Sequence, residues 1–225
     1  MAQRPIYIAN TEKDKFVTTK LIEFKWFPGM AKVQKQKSIC SLHENAKIKK
    51  ILEISSKSET ELGIKLSAFN LMVKLPNGQN CSVEQAFQGS KVFVNGGPFV
   101  DLYDSSSIKA KKDIRIKNSG DITRFDFFNN IFPLEPKTFF YDWLYIKALD
   151  ENRQYHDELL TYKAFSDIEF NPKKSINCQA FSAALFVSLF KENKIEEALK
   201  SKEHFKKIAY ESDNRNKPKQ LNLFT

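Results

Sequence analysis

The stretch Ser82-Val83-Glu84-Gln85-Ala86-Phe87-Gln88-Gly89-Ser90-Lys91-Val92-Phe93 decides how the fold is read. Ser82 stands where an N-cap is needed, and Gln85 three residues on completes a capping box, so a helix is expected to open here. Val83, Ala86, Phe87 and Ser90 fall at the spacing of a buried stripe. The helix is expected to continue to Phe93, where Asn95-Gly96-Gly97-Pro98 breaks it. Glu84, Gln88 and Lys91 follow one another at four and three residues and share an adjacent face, so a carboxylate, an amide and an amine line up. Glu84 lies in the first turn, whose unpaired N–H groups and dipole favour the ionised form. An anion fixed there can stabilise developing positive charge. A plain first-turn acid followed by a solvated lysine accounts for the same residues more simply.

Working outward, Leu71-Met72-Val73-Lys74-Leu75 and Asn80-Cys81 flank Pro76-Asn77-Gly78. Asn-Gly is expected to supply the positive φ angles of a tight hairpin that delivers the chain to Ser82. Residues 51–58 read as a buried strand running into a hydroxyl-rich turn, which makes Ser55, Ser56 and Lys57 candidates to face a ligand. A strand-to-turn transition alone also explains these serines. Residues 139–149 follow Pro136 as an aromatic-rich helix, and residues 180–190 are apolar nearly all round, as befits a central helix. Residues 122–128 alternate like a strand, and residues 192–210 read as a polar amphipathic helix.

Ser67-Ala68-Phe69-Asn70, the hairpin and then residues 82–93 together resemble the NADAR family signature. That signature is a serine-x-phenylalanine-asparagine-like box, a hairpin, and a serine-glutamate-x-x-phenylalanine-glutamine-x-x-lysine-phenylalanine helix. Here Val83 stands between the serine and the glutamate. The resemblance covers about residues 51–190 and implies a mainly α fold with small β elements (α+β), a NADAR-like single domain with an N-terminal extension. It further implies an N-glycosidase acting on ADP-ribose or phosphoribose linked through nitrogen. Glu84 matches the family's catalytic glutamate, and Ser67, Phe69, Asn70 and Gln88 fall on its substrate-binding positions. Trp143 is the candidate for a functional tryptophan, with a core role equally open. Asp167 and Asn177 match an aspartate and an asparagine ahead of the last core helix, although Asn177 also suits a helix cap. The family's glycine-rich loop is here Phe170-Asn171-Pro172-Lys173-Lys174, so that part of the pattern is departed from.

Thirty-six Lys and Arg against 27 Asp and Glu give a formal charge of +9, which favours a polyanionic partner. Residues 1–50 are expected to form an extension packing on the core, with strands over residues 5–8 and 17–27 and a short helix over 39–46. Lys35 and Lys37 precede that helix as a candidate phosphate site, or as a solvated run. A second basic surface is expected over residues 101–117, inside an insertion spanning about 95–135. The extension resembles the N-terminal part of the NADAR branch that serves as antitoxin to DNA-modifying ADP-ribosyltransferases. Residues 51–210 would be the catalytic domain and 211–225 a disordered tail. In that tail Gln220, Leu221, Leu223 and Phe224 resemble the peptide that docks on the bacterial sliding clamp.

Three Cys and three His, widely scattered, suggest neither a disulfide framework nor a metal or triad mechanism. No cofactor is expected. No apolar run approaches the ~18 residues of a membrane helix, and no apolar signal core opens the chain, so a cytoplasmic protein is expected; a monomer is the expected state. The function these readings favour is removal of ADP-ribose from a nucleobase, guanine in DNA above all, as the antitoxin to a partner toxin. Glu84 would carry the charge stabilisation, and Lys91 or Asp167 the proton transfer, with Lys91 alternatively attacking the sugar as an amine. The alternatives are a riboflavin-pathway phosphoribosyl N-glycosidase and a non-catalytic module that binds ADP-ribose or the toxin.

Overall fold

The computed structural model describes residues 1–10, 15–29 and 31–211. The chain opens with β1 (Ala2–Ala9), β2 (Val17–Phe24) and α1 (Lys32–Ala46), then β3 (Ile51–Glu53) and α2 (Glu61–Lys65). The hairpin β4 (Met72–Lys74) and β5 (Asn80–Ser82) leads into α3 (Val83–Gly89) and β6 (Lys91–Phe93). Next come α4 (Ser107–Lys112), α5 (Ile114–Asn118), β7 (Ile122–Phe127) and β8 (Asn130–Phe132). The last part holds α6 (Phe139–Glu151), α7 (His156–Leu159), β9 (Ala164–Ser166), α8 (Gln179–Lys191), α9 (Ile195–Leu199) and α10 (Lys202–Lys206). This is the expected α+β composition.

The first fifty residues do more than rest on the core. The four-stranded sheet runs β2-β1-β9-β3, so β1 sits between its hairpin partner β2 and the buried strand β9. β1 pairs antiparallel with β9 through Tyr7 and Phe165, and β3 pairs parallel with β9. Period-two alternation gives the sheet two apolar faces. Ile6, Ile22, Phe24 and Ala164 point to α1 and meet Ile39, Leu42 and Ala46. Tyr7, Val17, Leu52 and Phe165 join the main core, where α6 and α8 pack. α1 begins at Lys32, seven residues before the expected start.

α8 is buried on nearly every side, and α6 is pinned to it by one carboxylate. Asp142 accepts from Ser182 Oγ at 2.6 Å and from Thr138 Oγ1 at 2.7 Å, and Tyr210 Oη donates to it at 2.6 Å. The three-stranded sheet β6-β7-β8 lays Phe125, Phe127 and Phe132 against Phe140 of α6, with ring centroids 4.8–6.0 Å apart. Residues 192–210 form α9, α10 and a short π-type turn instead of one amphipathic helix.

Two local expectations are corrected. The hairpin uses Pro76 and Asn77 as the centre of a type I-like turn closed by Gly78 N donating to Leu75 O. Only Gly78 has positive φ, +87°, so the loop is a three-residue one with glycine at the left-handed position. The helix from Ser82 stops at Gly89, and Lys91–Phe93 is a strand paired with β7. A Cβ at position 89 would lie 2.5 Å from the Tyr103 ring, and Ser90 Oγ turns back to Ala86 O at 2.7 Å. That close packing halts the helix. Val92 and Phe93, β-branched and aromatic, then favour the strand that a neighbour offers.

Candidate active site

α3 enters the molecule through its cap. Ser82 Oγ accepts from Gln85 N at 3.1 Å, and Gln85 Oε1 accepts from Ser82 N at 2.9 Å, which is the expected capping box. Gln85 Nε2 also donates to Tyr103 O and Ser105 O, so the helix start is tied to the segment that follows β6. Every residue of α3 is buried. The preceding box is held by backbone bonds, Glu84 N donating to Ala68 O at 2.8 Å and Val83 N to Leu71 O at 2.9 Å. Gln179, at the start of α8, accepts from Ala68 N and donates to Ile54 O, both at 2.7 Å. One amide thereby joins the strand-turn after β3, the box before the hairpin and the central helix.

These elements enclose a cleft of about 350 Å³. Glu84, Gln88 and Lys91 line it together with Ser55, Ser56, Ser67, Phe69, Asp167 and Asn177. Glu84, Gln88 and Lys91 thus meet at one cleft, but Glu84 and Gln88 alone share the expected helix face, and Lys91 reaches the cleft from β6. Gln88 Nε2 donates to Glu84 Oε1 at 3.0 Å, which orients the carboxylate. Gln88 Oε1 is buried with no hydrogen-bond partner among the described residues. Such an acceptor is costly unless a donor reaches it, and the cleft is the side from which one can come.

Lys91 lies with its Nζ 4.8 Å from the centre of the Phe87 ring. Burial pulls its pKa down to about 8, while Glu84 opposes that shift and Lys111 adds to it. An appreciable fraction is thus uncharged amine near neutrality. Asp167 is held by an Asx turn, its Oδ1 accepting from Glu169 N at 3.0 Å and Phe170 N at 3.1 Å. Burial first, and then the nearby Glu53 carboxylate, push Asp167 well above the usual carboxylate range against those two N–H groups. Behind it, Ser166 Oγ donates to Glu53 Oε2 at 2.5 Å and Ile168 N to Oε1 at 2.8 Å. His43 Nε2 lies 2.8 Å from Ser166 Oγ. Since the serine proton goes to Glu53, the imidazole must donate, and burial keeps it neutral by lowering its pKa to about 4.

Five expected site residues lie elsewhere. Lys35 is buried in an ion pair with Glu169 Oε1 at 3.2 Å and stands 4.8 Å from the Trp26 ring. It braces the cleft wall through Glu169. Lys37 is exposed on α1, and Lys57 follows the cleft turn without lining it. Asn70 turns its amide to Ile64 O and Ser67 Oγ at 2.9 and 3.1 Å. Trp143 packs among Phe127, Phe132 and Phe140, so its place is in the aromatic core. Gln220, Leu221, Leu223 and Phe224 lie outside the described residues.

Sequence reasoning missed Tyr141, Glu169, Gln179 and Lys111 as cleft residues. Lys111 belongs to the cluster read as a basic surface, and its Nζ stands 4.8 Å from the Phe69 ring. No periodicity signals that contact, because it depends on Ser107 Oγ, which anchors α4 to Phe69 O at 2.9 Å. Among the described residues no cluster of His, Cys, Asp and Glu is arranged to hold a metal ion, and no helix is long and apolar enough to cross a membrane.

Compared with known proteins, residues 2–219 match the family model described as the DarT1-associated NADAR antitoxin. No curated protein matches the chain.

Proposed function

Because the chain belongs to the DarT1-associated NADAR antitoxin family, we propose that it is an N-glycosidase that removes ADP-ribose from modified nucleobases, guanine in DNA above all. In doing so it reverses the action of a cognate toxin. The observation that carries this reading is the buried Glu84–Gln88 pair facing the same cleft as Lys91 and Asp167.

Breaking the bond between an anomeric carbon and a base nitrogen leaves oxocarbenium character on the sugar and a pair of electrons on the base. A carboxylate held still by an amide and shielded from water stabilises that charge or draws a proton from attacking water. Glu84 has this setting. The departing nitrogen needs a proton, and Asp167, kept neutral by burial and by Glu53, supplies it as general acid. Lys91, partly uncharged, is suited to attack the anomeric carbon in a covalent variant of the route. Sugar hydroxyls have acceptors in Gln88 Oε1 and the serine hydroxyls, and Lys111 offers charge to a diphosphate.

The match reaches into residues 1–50, whose strands complete the sheet behind Asp167. This favours the antitoxin over the riboflavin-pathway glycosidase, for which no such segment was expected. Incubation with DNA carrying ADP-ribosylated guanosine, followed by mass analysis, tests the proposal directly. Release of ADP-ribose and restoration of unmodified guanine is the expected result. Tight binding without any release would make the protein a binding module.

A further inference from the structure

A second cleft of about 370 Å³ adjoins the first, and Phe87, Lys91, Tyr141 and Asn177 belong to both. Its character is different. Phe125 and Phe140 extend the aromatic wall begun by Phe87, their rings 4.8–6.1 Å apart. Leu134 and Ile176 also line it, and they keep 36% and 60% of their surface exposed. Exposed apolar side chains around a concave aromatic surface mark a place where something apolar is received.

Resting on the glycosidase reading, we propose that this second cleft is the seat of the departing nucleobase, held flat against the aromatic wall while the sugar and diphosphate occupy the first cleft. The two clefts divide their chemistry as such a substrate does. One is lined with hydroxyls, carboxylates, an amide and lysines, suited to a polar, anionic sugar-diphosphate. The other is lined by aromatic rings and aliphatic side chains, suited to a planar base, which stacks on aromatic groups whatever its edge pattern. The bond between the two halves must lie where the clefts meet, and there the shared residues are Lys91 and Asn177 beside Phe87 and Tyr141. A base in duplex DNA reaches such a recess only when swung out of its stack. Glu135 and Lys137 at the rim of the same cleft provide polar groups for its edge.

The test is titration calorimetry of guanosine into the full-length protein saturated with ADP-ribose. Guanosine is expected to bind alongside ADP-ribose. Leu134→Trp, which fills the cleft, and separately Ile176→Glu, which charges its lip, are each expected to weaken guanosine by about tenfold or more, a loss of the size of one stacked base. ADP-ribose affinity, which also reports that each variant is folded, should change by less than about twofold. Failure of guanosine to bind the ADP-ribose-loaded wild type overturns the proposal, and so does unchanged guanosine affinity in both variants. If ADP-ribose itself does not bind the wild type, yet guanosine binds and is lost in both variants, the base seat stands and the glycosidase reading falls.

Discussion

Gln88 donates its amide hydrogen to Glu84 at 3.0 Å, one turn apart on a seven-residue helix in which both side chains are buried. The bond holds one carboxylate oxygen, while the amide's own oxygen has no partner among the described residues. A short helix has thus been used to fix an acid at the floor of a cleft instead of to seal a core.

Replacing Glu84 by Gln removes the charge and keeps the shape. ADP-ribose release should fall at least ~100-fold, the scale of one lost electrostatic stabiliser, with little change in melting temperature. Chromatographic detection of ADP-ribose together with a thermal melt decides it. Near wild-type release would remove Glu84 from the mechanism.

Asp167 has its folded pKa raised above the ordinary value of 3.8, so the unfolded chain gives up this proton first. Its contribution to stability is whole below about pH 4 and declines as pH rises toward the folded value. Asp167→Asn keeps the two N–H contacts and cannot ionise. The variant should therefore gain in melting temperature relative to wild type at pH 8 compared with pH 5, while losing turnover. A difference that is flat with pH would mean that Asp167 is ionised in the folded protein.

Lys91, with its pKa pulled down to about 8, should form a borohydride-trapped adduct with the sugar whose yield climbs between about pH 6 and 9, as free amine accumulates. Intact-mass analysis should show the adduct missing in Lys91→Ala. If it persists, Lys111 is the next amine to replace, since it lines the same cleft.

Activity on modified DNA should fall steeply with salt, and activity on an ADP-ribosyl nucleoside much less, because only DNA releases counterions along its backbone. The slope should depend on Lys37, Lys109 and Lys112, which are exposed. It should barely respond to Arg115, which is paired with Asp101 and Asp113, or to Lys35, which is paired with Glu169. Equal slopes for the two substrates would count against DNA.

Gln179→Leu should destabilise the protein by about 2–4 kcal/mol, since Ala68 N and Ile54 O would lose their partner in a buried place. Urea unfolding measures this. A loss below about 0.5 kcal/mol would show that those groups find other partners.

Residues 82–93 were enough to announce the start of a capped helix and the common face of Glu84 and Gln88, because capping and helical spacing are local properties, whereas Lys91, read at the same spacing, comes to that cleft from a strand. The hairpin, the strand at residues 122–128 and the central helix α8 were legible for the same reason: turn residues and apolar periodicity act over a few positions. The end of α3 was not legible, since it is Tyr103, fourteen residues beyond Gly89, that closes against the backbone there. Nor was the place of β1 inside the sheet, which depends on β9 more than 150 residues away. The charged residues divided in the same way. Nothing in composition separates Lys35, buried against Glu169, from Lys37 in solvent, or Lys111 in the cleft from its basic neighbours. The raised pKa of Asp167 and the lowered pKa of Lys91 likewise belong to the fold alone. Burial and the approach of Glu53 to Asp167 or of Lys111 to Lys91 exist only once distant segments have been brought together.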